Sequence, residues 1–275
     1  MYTCTLDVSW WGQRAVVITG CDSGLGFSLA HWCHQRGLVV VAACHTGHSE
    51  AGAISLEEAG TRTGRLIVIR GFDVASEESI RVLGARVEEV MRETGARVHA
   101  LINNAGVLVL ARLEWQTPAM IRAQIQVSEV IQEIIESMMI VIQVNLTGPV
   151  LLTQELLPRL RESPGSRVIN ISSPCAMTRL PLGSVYAASK AGLEAVSEAL
   201  ELEAGEDGVH MIVLDPGTSL FPRTKMASRQ EAHYEAMENN MTSPVRMDKF
   251  RHIKNILSQI QNPERKAIVD DNLIG

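Results

Sequence analysis

The chain has no excess of positive charge and no long apolar run, and each shortage removes a class of function. Only 4% of its 275 residues are aromatic. Lys and Arg number 25 against 31 Asp and Glu, a net charge of −6, so neither nucleic acid nor an anionic membrane surface has a general electrostatic reason to be its partner. No stretch approaches the ~18 uninterrupted apolar residues of a membrane span. The opening MYTCTLDVSWWGQRAVVITG has no basic segment leading into a long apolar one, so no signal peptide, transit peptide or membrane anchor is expected. The five cysteines, at 4, 21, 33, 44 and 175, are odd in number and form no CxxC pair. Reduced thiols in an intracellular, cytoplasmic setting are the expectation, with a mitochondrial or membrane-associated location left open. His31, Cys33 and His34 lack a matching distal ligand pair, so no metal site is expected.

What is present is the composition of a folded chain, 46% hydrophobic and 20% charged. Short apolar runs alternate with helical stretches, the pattern of repeated βαβ units. Strands are expected at 14–19, 38–44, 65–74, 98–106, 167–173 and 210–217, with 266–271 a weaker seventh. LVVVAAC is continuously apolar, as a strand covered on both faces should be. One helix is expected to reach Arg36 and stop at Gly37, another to run from Ser76 to near Gly95. No linker divides these units, so the expectation is a single domain over 1–275: an α/β, doubly wound, mostly parallel sheet of seven strands.

Two short motifs carry chemistry. The first strand runs into TGCDSGLG, residues 19–26. Glycines at 20, 24 and 26 allow a tight turn and close approach to a pyrophosphate, and the helix that follows points its amide-rich end at the phosphates. A glycine triplet alone is weak; one lying between a strand and a helix meets the mechanism's requirement. The second motif is YAASK. Tyr186 and Lys190 are one helical turn apart and share a face. An ammonium beside a phenol is expected to lower the tyrosine pKa from about 10, giving a proton-transfer group. Taken alone, the spacing fits a half-buried aromatic beside a solvated charge better than it fits a proton-transfer group.

Thr19-Gly20-x-x-x-Gly24-x-Gly26, Asn103-Asn104-Ala105-Gly106, Asn145, Ser173, Tyr186-x-x-x-Lys190 and Pro216-Gly217 occur in an order that resembles the short-chain dehydrogenase/reductase family, over about residues 13–217. TGCDSGLGFSLA and LLPRLRES are more narrowly similar to its retinol, hydroxysteroid and D-3-hydroxybutyrate dehydrogenases. The resemblance implies NAD(H)-dependent interconversion of an alcohol and its carbonyl, and a homodimer or homotetramer. It makes Tyr186 the general base in oxidation and the general acid in reduction, with Lys190 lowering its pKa and holding the nicotinamide ribose. It gives Ser173 the substrate oxygen and Asn145 a water linking Lys190 to solvent. Cofactor contacts are implied for Gly20, Asp22, Ser23, Gly24, Leu25 and Gly26 in the turn. Asp73 and Val74 match an adenine-contacting pair, although a plain strand terminus accounts for them as well. Asn104, Ala105 and Gly106 lie under the cofactor; Pro216, Gly217 and Thr218 lie near the nicotinamide. Family members that prefer NADP usually carry Lys or Arg in the turn or after the second strand. This chain has Asp22 and Ser23, then Cys44, His45 and Thr46, which favours NAD over NADP. His45 could carry some positive charge, and Asp22 is not at the usual strand-end position.

One passage departs from the pattern. IQV occurs at 125–127 and again at 142–144, and removing 128–144 leaves AQIQVNLTG, an uninterrupted family segment. Asn103 and Asn145 are 42 apart as written and 25 apart without those 17 residues (42 − 17). Two functions therefore stand: an active dehydrogenase acting on a small-molecule alcohol or ketone, or a cofactor-binding protein whose catalysis the insert impairs and which acts through association. The substrate loop is expected within 218–262. Arg179 and Arg223 are candidate partners for a substrate carboxylate, or solvated surface charges.

Overall fold

The protein is described here from a computed structural model, which covers residues 13–45, 50–108, 141–178 and 182–217, with 234, 235, 238, 248, 250–252 and 254. Among the described residues six strands are formed: β1 (Arg14–Thr19), β2 (Val39–Cys44), β3 (Leu66–Arg70), β4 (Arg97–Asn103), β5 (Ser166–Ile171) and β6 (Val209–Leu214). They make one parallel sheet in the order β3-β2-β1-β4-β5-β6. The order reverses between β1 and β4, and that reversal opens a crevice at the C-terminal ends of the strands, where ligands bind in such sheets. The expected seventh strand, 266–271, lies outside the described residues.

Among the described residues five α-helices lie between these strands: α1 (Gly24–Gln35), α2 (Glu50–Thr61), α3 (Glu77–Thr94), α4 (Gly148–Arg161) and α5 (Ser184–Ala204). The boundaries follow from local chemistry. Ser76 caps α3 by accepting the Ser79 amide at 3.2 Å, and the helix stops at Gly95. Ile80, Leu83, Val87 and Val90 recur at helical spacing and form its buried face. The predicted 65–74 strand ends earlier, at Arg70, because Asp73 closes a turn: its carboxylate accepts the Ala75 amide and its own amide donates to Ser79 Oγ, both at 2.9 Å.

Alternation along the central strands divides the core into two layers. Ala15, Val17, Val39, Val41 and Leu101 face α3 and α4, meeting Leu83, Val87, Leu152 and Leu156. Val16, Ile18, Val40 and Ala42 face the other way, onto Ala30 and Cys33 of α1 and Ala53 and Leu56 of α2. All six residues of β2 are buried, as its unbroken apolar run predicts. Burying each large aliphatic side chain contributes about 1.5–3 kcal/mol. The two layers hold the sheet rigid while its upper edge carries polar groups.

The His31, Cys33 and His34 group is structural in its contacts. Cys33 is in the core, His31 packs edge-on against Phe27, and His34 Nε2 lies 3.4 Å from Thr63 Oγ1. Among the described residues no group of three or more His, Cys, Asp or Glu could hold a metal, and no helix is long and apolar enough to cross a membrane.

Candidate active site

The glycine turn is held from two sides. Gly20 has φ +69°, a conformation that favours glycine. A Cβ on Gly26 would lie 2.3 Å from the Gly20 carbonyl oxygen and 2.4 Å from Asn104 Nδ2. Asn104 is the tie: its Nδ2 donates to the carbonyls of Thr19 at 2.8 Å and Gly20 at 3.1 Å. Thr19 Oγ1 in return accepts the amides of Asn104 at 3.1 Å and Ala105 at 3.0 Å. The NNAG segment after β4 and the turn after β1 are therefore one unit. Ser23, extended, leads into α1, whose first turn carries no acidic residue and presents its amides toward the turn. Asp22 Oδ1 is buried and has no hydrogen-bond partner. A cradle that leaves no room for a Cβ, a helix N-terminus and an acid without a hydrogen-bond partner fit a nicotinamide dinucleotide.

The other motifs meet beside it. Ser172 and Ser173 follow β5, and the structure separates them. Ser172 Oγ donates to Glu194 at 2.5 Å, whereas Ser173 stands close enough to the Tyr186 phenol to lower its pKa. Ser173 Oγ also accepts the Cys175 amide at 3.3 Å, which fixes its direction at the head of a short 3₁₀ turn, Pro174–Ala176. Tyr186 and Lys190 are both buried on α5. Lys190 Nζ donates to the Ile171 carbonyl at the end of β5, 2.7 Å away.

Asn145 is fully buried, in a wide π-helical turn, Gln143–Thr147, that precedes α4. Its Oδ1 accepts the Val107 amide and its Nδ2 donates to the Val107 carbonyl, both at 2.9 Å. Nδ2 also donates to Ser189 Oγ at 3.1 Å, and Ser189 donates to the Tyr186 carbonyl at 2.7 Å. Asn145 thus joins the segment after β4 to the helix carrying Tyr186 and Lys190. Of the suspected insert, 128–140 lies outside the described residues, while Val141 and Ile142 lead into this turn and Gln143 and Val144 are its first two residues.

Burial governs the titration of the pair. It pushes the Tyr186 phenol up; neighbouring Ser173 opposes the rise, while Cys175 and Asp215 add to it. Lys190, expected to lower the phenol, is not among the groups that shift it. Burial brings Lys190 itself down to about 8, and its ammonium is turned to a backbone carbonyl.

Of the remaining predicted contacts, Asp73 is engaged in its own turn, and Val74 is a core side chain whose carbonyl faces Gly148, where a Cβ would come within 2.3 Å. Gly106 and Leu25 are half-buried beside the crevice. Pro216 and Gly217 follow β6, with the Gly217 amide donating to Asp215 at 2.8 Å. Thr218, Arg179 and Arg223 lie outside the described residues, as does most of the expected substrate loop. Sequence reasoning missed Ser189 and the buried chain Thr153–Asn103–Asn170–Ser197, with links of 3.2, 2.8 and 2.8 Å, that ties β4, β5, α4 and α5 beneath the crevice. The NNAG and INISS segments contain Asn103 and Asn170 where apolar residues would otherwise be expected, which was the available signal for those two.

The profile of the short chain dehydrogenase family matches residues 14–235. The mitochondrial D-beta-hydroxybutyrate dehydrogenase of Rattus norvegicus is 31% identical over 250 residues, covering 90% of this chain and 66% of that protein. The 17-beta-hydroxysteroid dehydrogenase type 6 of Mus musculus is 35% identical over 220 residues, covering 76% of this chain and 61% of that protein. The chain thus spans just under two thirds of the length of these relatives. A short chain dehydrogenase/reductase from Burkholderia phymatum, solved in complex with NAD, superposes with a TM-score of 0.67 at 21% identity, covering 94% of this chain and 82% of that one. A metagenomic short-chain oxidoreductase in complex with NADP gives 0.61 at 23% identity, covering 76% and 84%.

Proposed function

The chain belongs to the short-chain dehydrogenase family, and on that premise we propose that it is an NAD(H)-dependent oxidoreductase interconverting an alcohol and its carbonyl. The observation that carries the reading is the placing of Tyr186 and Lys190 one turn apart and buried on α5, with Ser173 close enough to the phenol to shift it and the Asn104-tied glycine turn following β1. Bound there, a nicotinamide dinucleotide supplies the hydride acceptor or donor. The chain's own residues orient the substrate and handle the proton. Ser173 Oγ hydrogen-bonds the substrate oxygen and sets its angle. Tyr186 Oη gives a proton to a carbonyl oxygen in reduction and takes one from a hydroxyl in oxidation. Since burial raises the phenol, its resting form near neutral pH is the acid. Lys190 binds the nicotinamide ribose, and Asn145, seated next to α5, positions a water between Lys190 and solvent.

Asp22 and the lack of Lys or Arg in the glycine turn support NAD over NADP. The hydroxybutyrate, steroid and retinol names of the relatives support those substrate classes. A single domain over 1–275, working inside the cell as a homodimer or homotetramer with a substrate loop in 218–262, completes the reading.

A second reading rests on 128–144, a length of chain inside the family pattern: a cofactor-binding protein of impaired catalysis that acts through association. NADH absorbance, followed with NAD and 3-hydroxybutyrate, a hydroxysteroid or retinol, separates the two. Turnover by the full chain that Tyr186→Phe abolishes supports the first. Turnover only after removal of 128–144 supports the second.

A further inference from the structure

The acid in the glycine turn does not aim itself. The helix α2 begins after β2, and its third residue is Gly52. A Cβ at that position would lie 2.0 Å from the Asp22 carbonyl oxygen, 2.8 Å from its carbonyl carbon and 3.5 Å from its Cα. The first turn of α2 therefore rests on the backbone of Asp22, closer than any residue with a side chain permits. A glycine inside a helix costs about 1 kcal/mol relative to alanine, and this close approach is its physical reason.

The contact is rigid. Ala53 and Leu56, one and four residues on, are fully buried in the layer that also contains Cys21 and Cys44. Arg70 on β3 grips Glu57 of α2 through two bonds of 2.6 Å. From this seat Asp22 holds Oδ1 buried and without a partner. Its charge is felt by both neighbouring thiols: Cys44 is pushed up to about 12 by burial first and by Asp22 second, and Cys21 rises for the same leading reason, with Cys44 and Asp22 adding to it. The end of β2 offers no carboxylate, only Cys44 followed by His45.

We propose that Gly52 is the positioning residue for dinucleotide discrimination: by letting α2 bear on Asp22 it holds Oδ1 where a ribose hydroxyl donates to it and a 2′-phosphate is repelled. The inference rests on the NAD reading given above and adds the element that enforces it. A buried carboxylate oxygen gains a charge-assisted hydrogen bond from a hydroxyl, whereas a phosphate brings two anions together in a place of low dielectric. A Cβ at Gly52 moves Asp22 and removes the distinction.

The test is calorimetric binding of NAD and of NADP to the full chain, with Gly52→Ala, Asp22→Asn, the double variant, and Ala51→Gly as a control that loosens the same turn without adding a Cβ. The expected wild-type preference for NAD is about tenfold or more. Gly52→Ala and Asp22→Asn should each reduce that ratio several-fold, the double variant no further than Asp22→Asn alone, and Ala51→Gly should leave the ratio unchanged. Equal further loss from Gly52→Ala in the Asp22→Asn background overturns the proposal, as does the same loss from Ala51→Gly. Asp22→Asn keeps the test alive if Gly52→Ala does not fold, because an unaltered ratio in that variant also overturns it. A wild-type chain that binds NADP as tightly as NAD overturns the NAD reading itself, a result separate from the others.

Discussion

His99, at the opposite end of the sheet from the crevice, should make the fold acid-sensitive by an amount that can be worked out. On β4 it lies between Arg14 of β1, whose Nη1 is 2.8 Å from Nε2, and Arg167 of β5, at 3.5 Å, while Nδ1 is 3.1 Å from Ser163 Oγ. It is 8% exposed. Burial, then Arg14, then Arg167 bring it down from 6.5 to about 4. A folded pKa below the unfolded one means the unfolded chain takes up a proton first as pH falls. Stability is therefore intact above the unfolded value, is lost between about pH 6.5 and pH 4, and changes no further once both forms are protonated. With those two values the loss is about 2 kcal/mol at pH 5 and about 3 kcal/mol at pH 4. Urea denaturation at about pH 7.5 and about pH 5, on the chain and on His99→Gln, measures it. The variant starts lower by about 1–2 kcal/mol from lost packing and hydrogen bonds but should lose about 2 kcal/mol less on acidification. His34, also lowered mainly by burial, and the lowered Glu57 and Glu201 titrate in both proteins and cancel in the comparison. Equal acid losses in the two proteins would refute the argument.

Three further outcomes are expected. Gly26→Ala forces a methyl group against the Gly20 carbonyl and the Asn104 amide, and dinucleotide affinity by calorimetry should fall about tenfold or more, the equivalent of about 1.4 kcal/mol. Asn170→Ala leaves the Asn103 amide short of one acceptor and Ser197 short of one donor, and should cost about 2–3 kcal/mol in urea denaturation with the glycine turn intact. The raised phenol of Tyr186 makes carbonyl reduction flat through neutral pH and alcohol oxidation rise above it. A pH–rate profile with oxidation already at its plateau below pH 7 would contradict that sign.

The sheet was largely legible because its signal is local. Uninterrupted apolar runs such as VVVAAC place a strand whatever its neighbours do, and Ser76 and Gly95 mark helix ends by their own backbone chemistry. The grouping of Ser173 with Tyr186 was legible from motif order. What the spacing could not give was the environment. The four-residue interval between Tyr186 and Lys190 shows that they share a face, but burial, a property of the surrounding layers, decides that the phenol rises and the ammonium falls. The strand ends at Arg70 rather than 74 for a local reason: the Asp73 carboxylate accepts the Ala75 amide, and that turn outweighs the β propensity of Phe72 and Val74. Gly52 and Ser189 act across long sequence separations, on Asp22 and Asn145, and no local pattern records such contacts.

The anchoring of Asn145 bears on how the chain accommodates extra length. Seventeen residues amount to about 4.7 helical turns, so a continuous helix carrying them would have rotated Asn145 by roughly 260° about its axis at 100° per residue. Its side chain is instead clamped from outside its own helix, by the backbone of Val107 and the hydroxyl of Ser189. The wide turn of Gln143–Thr147 carries Asn145 between these partners, which belong to the segment after β4 and to α5. What fixes the direction of Asn145 is thus a set of contacts distant in sequence.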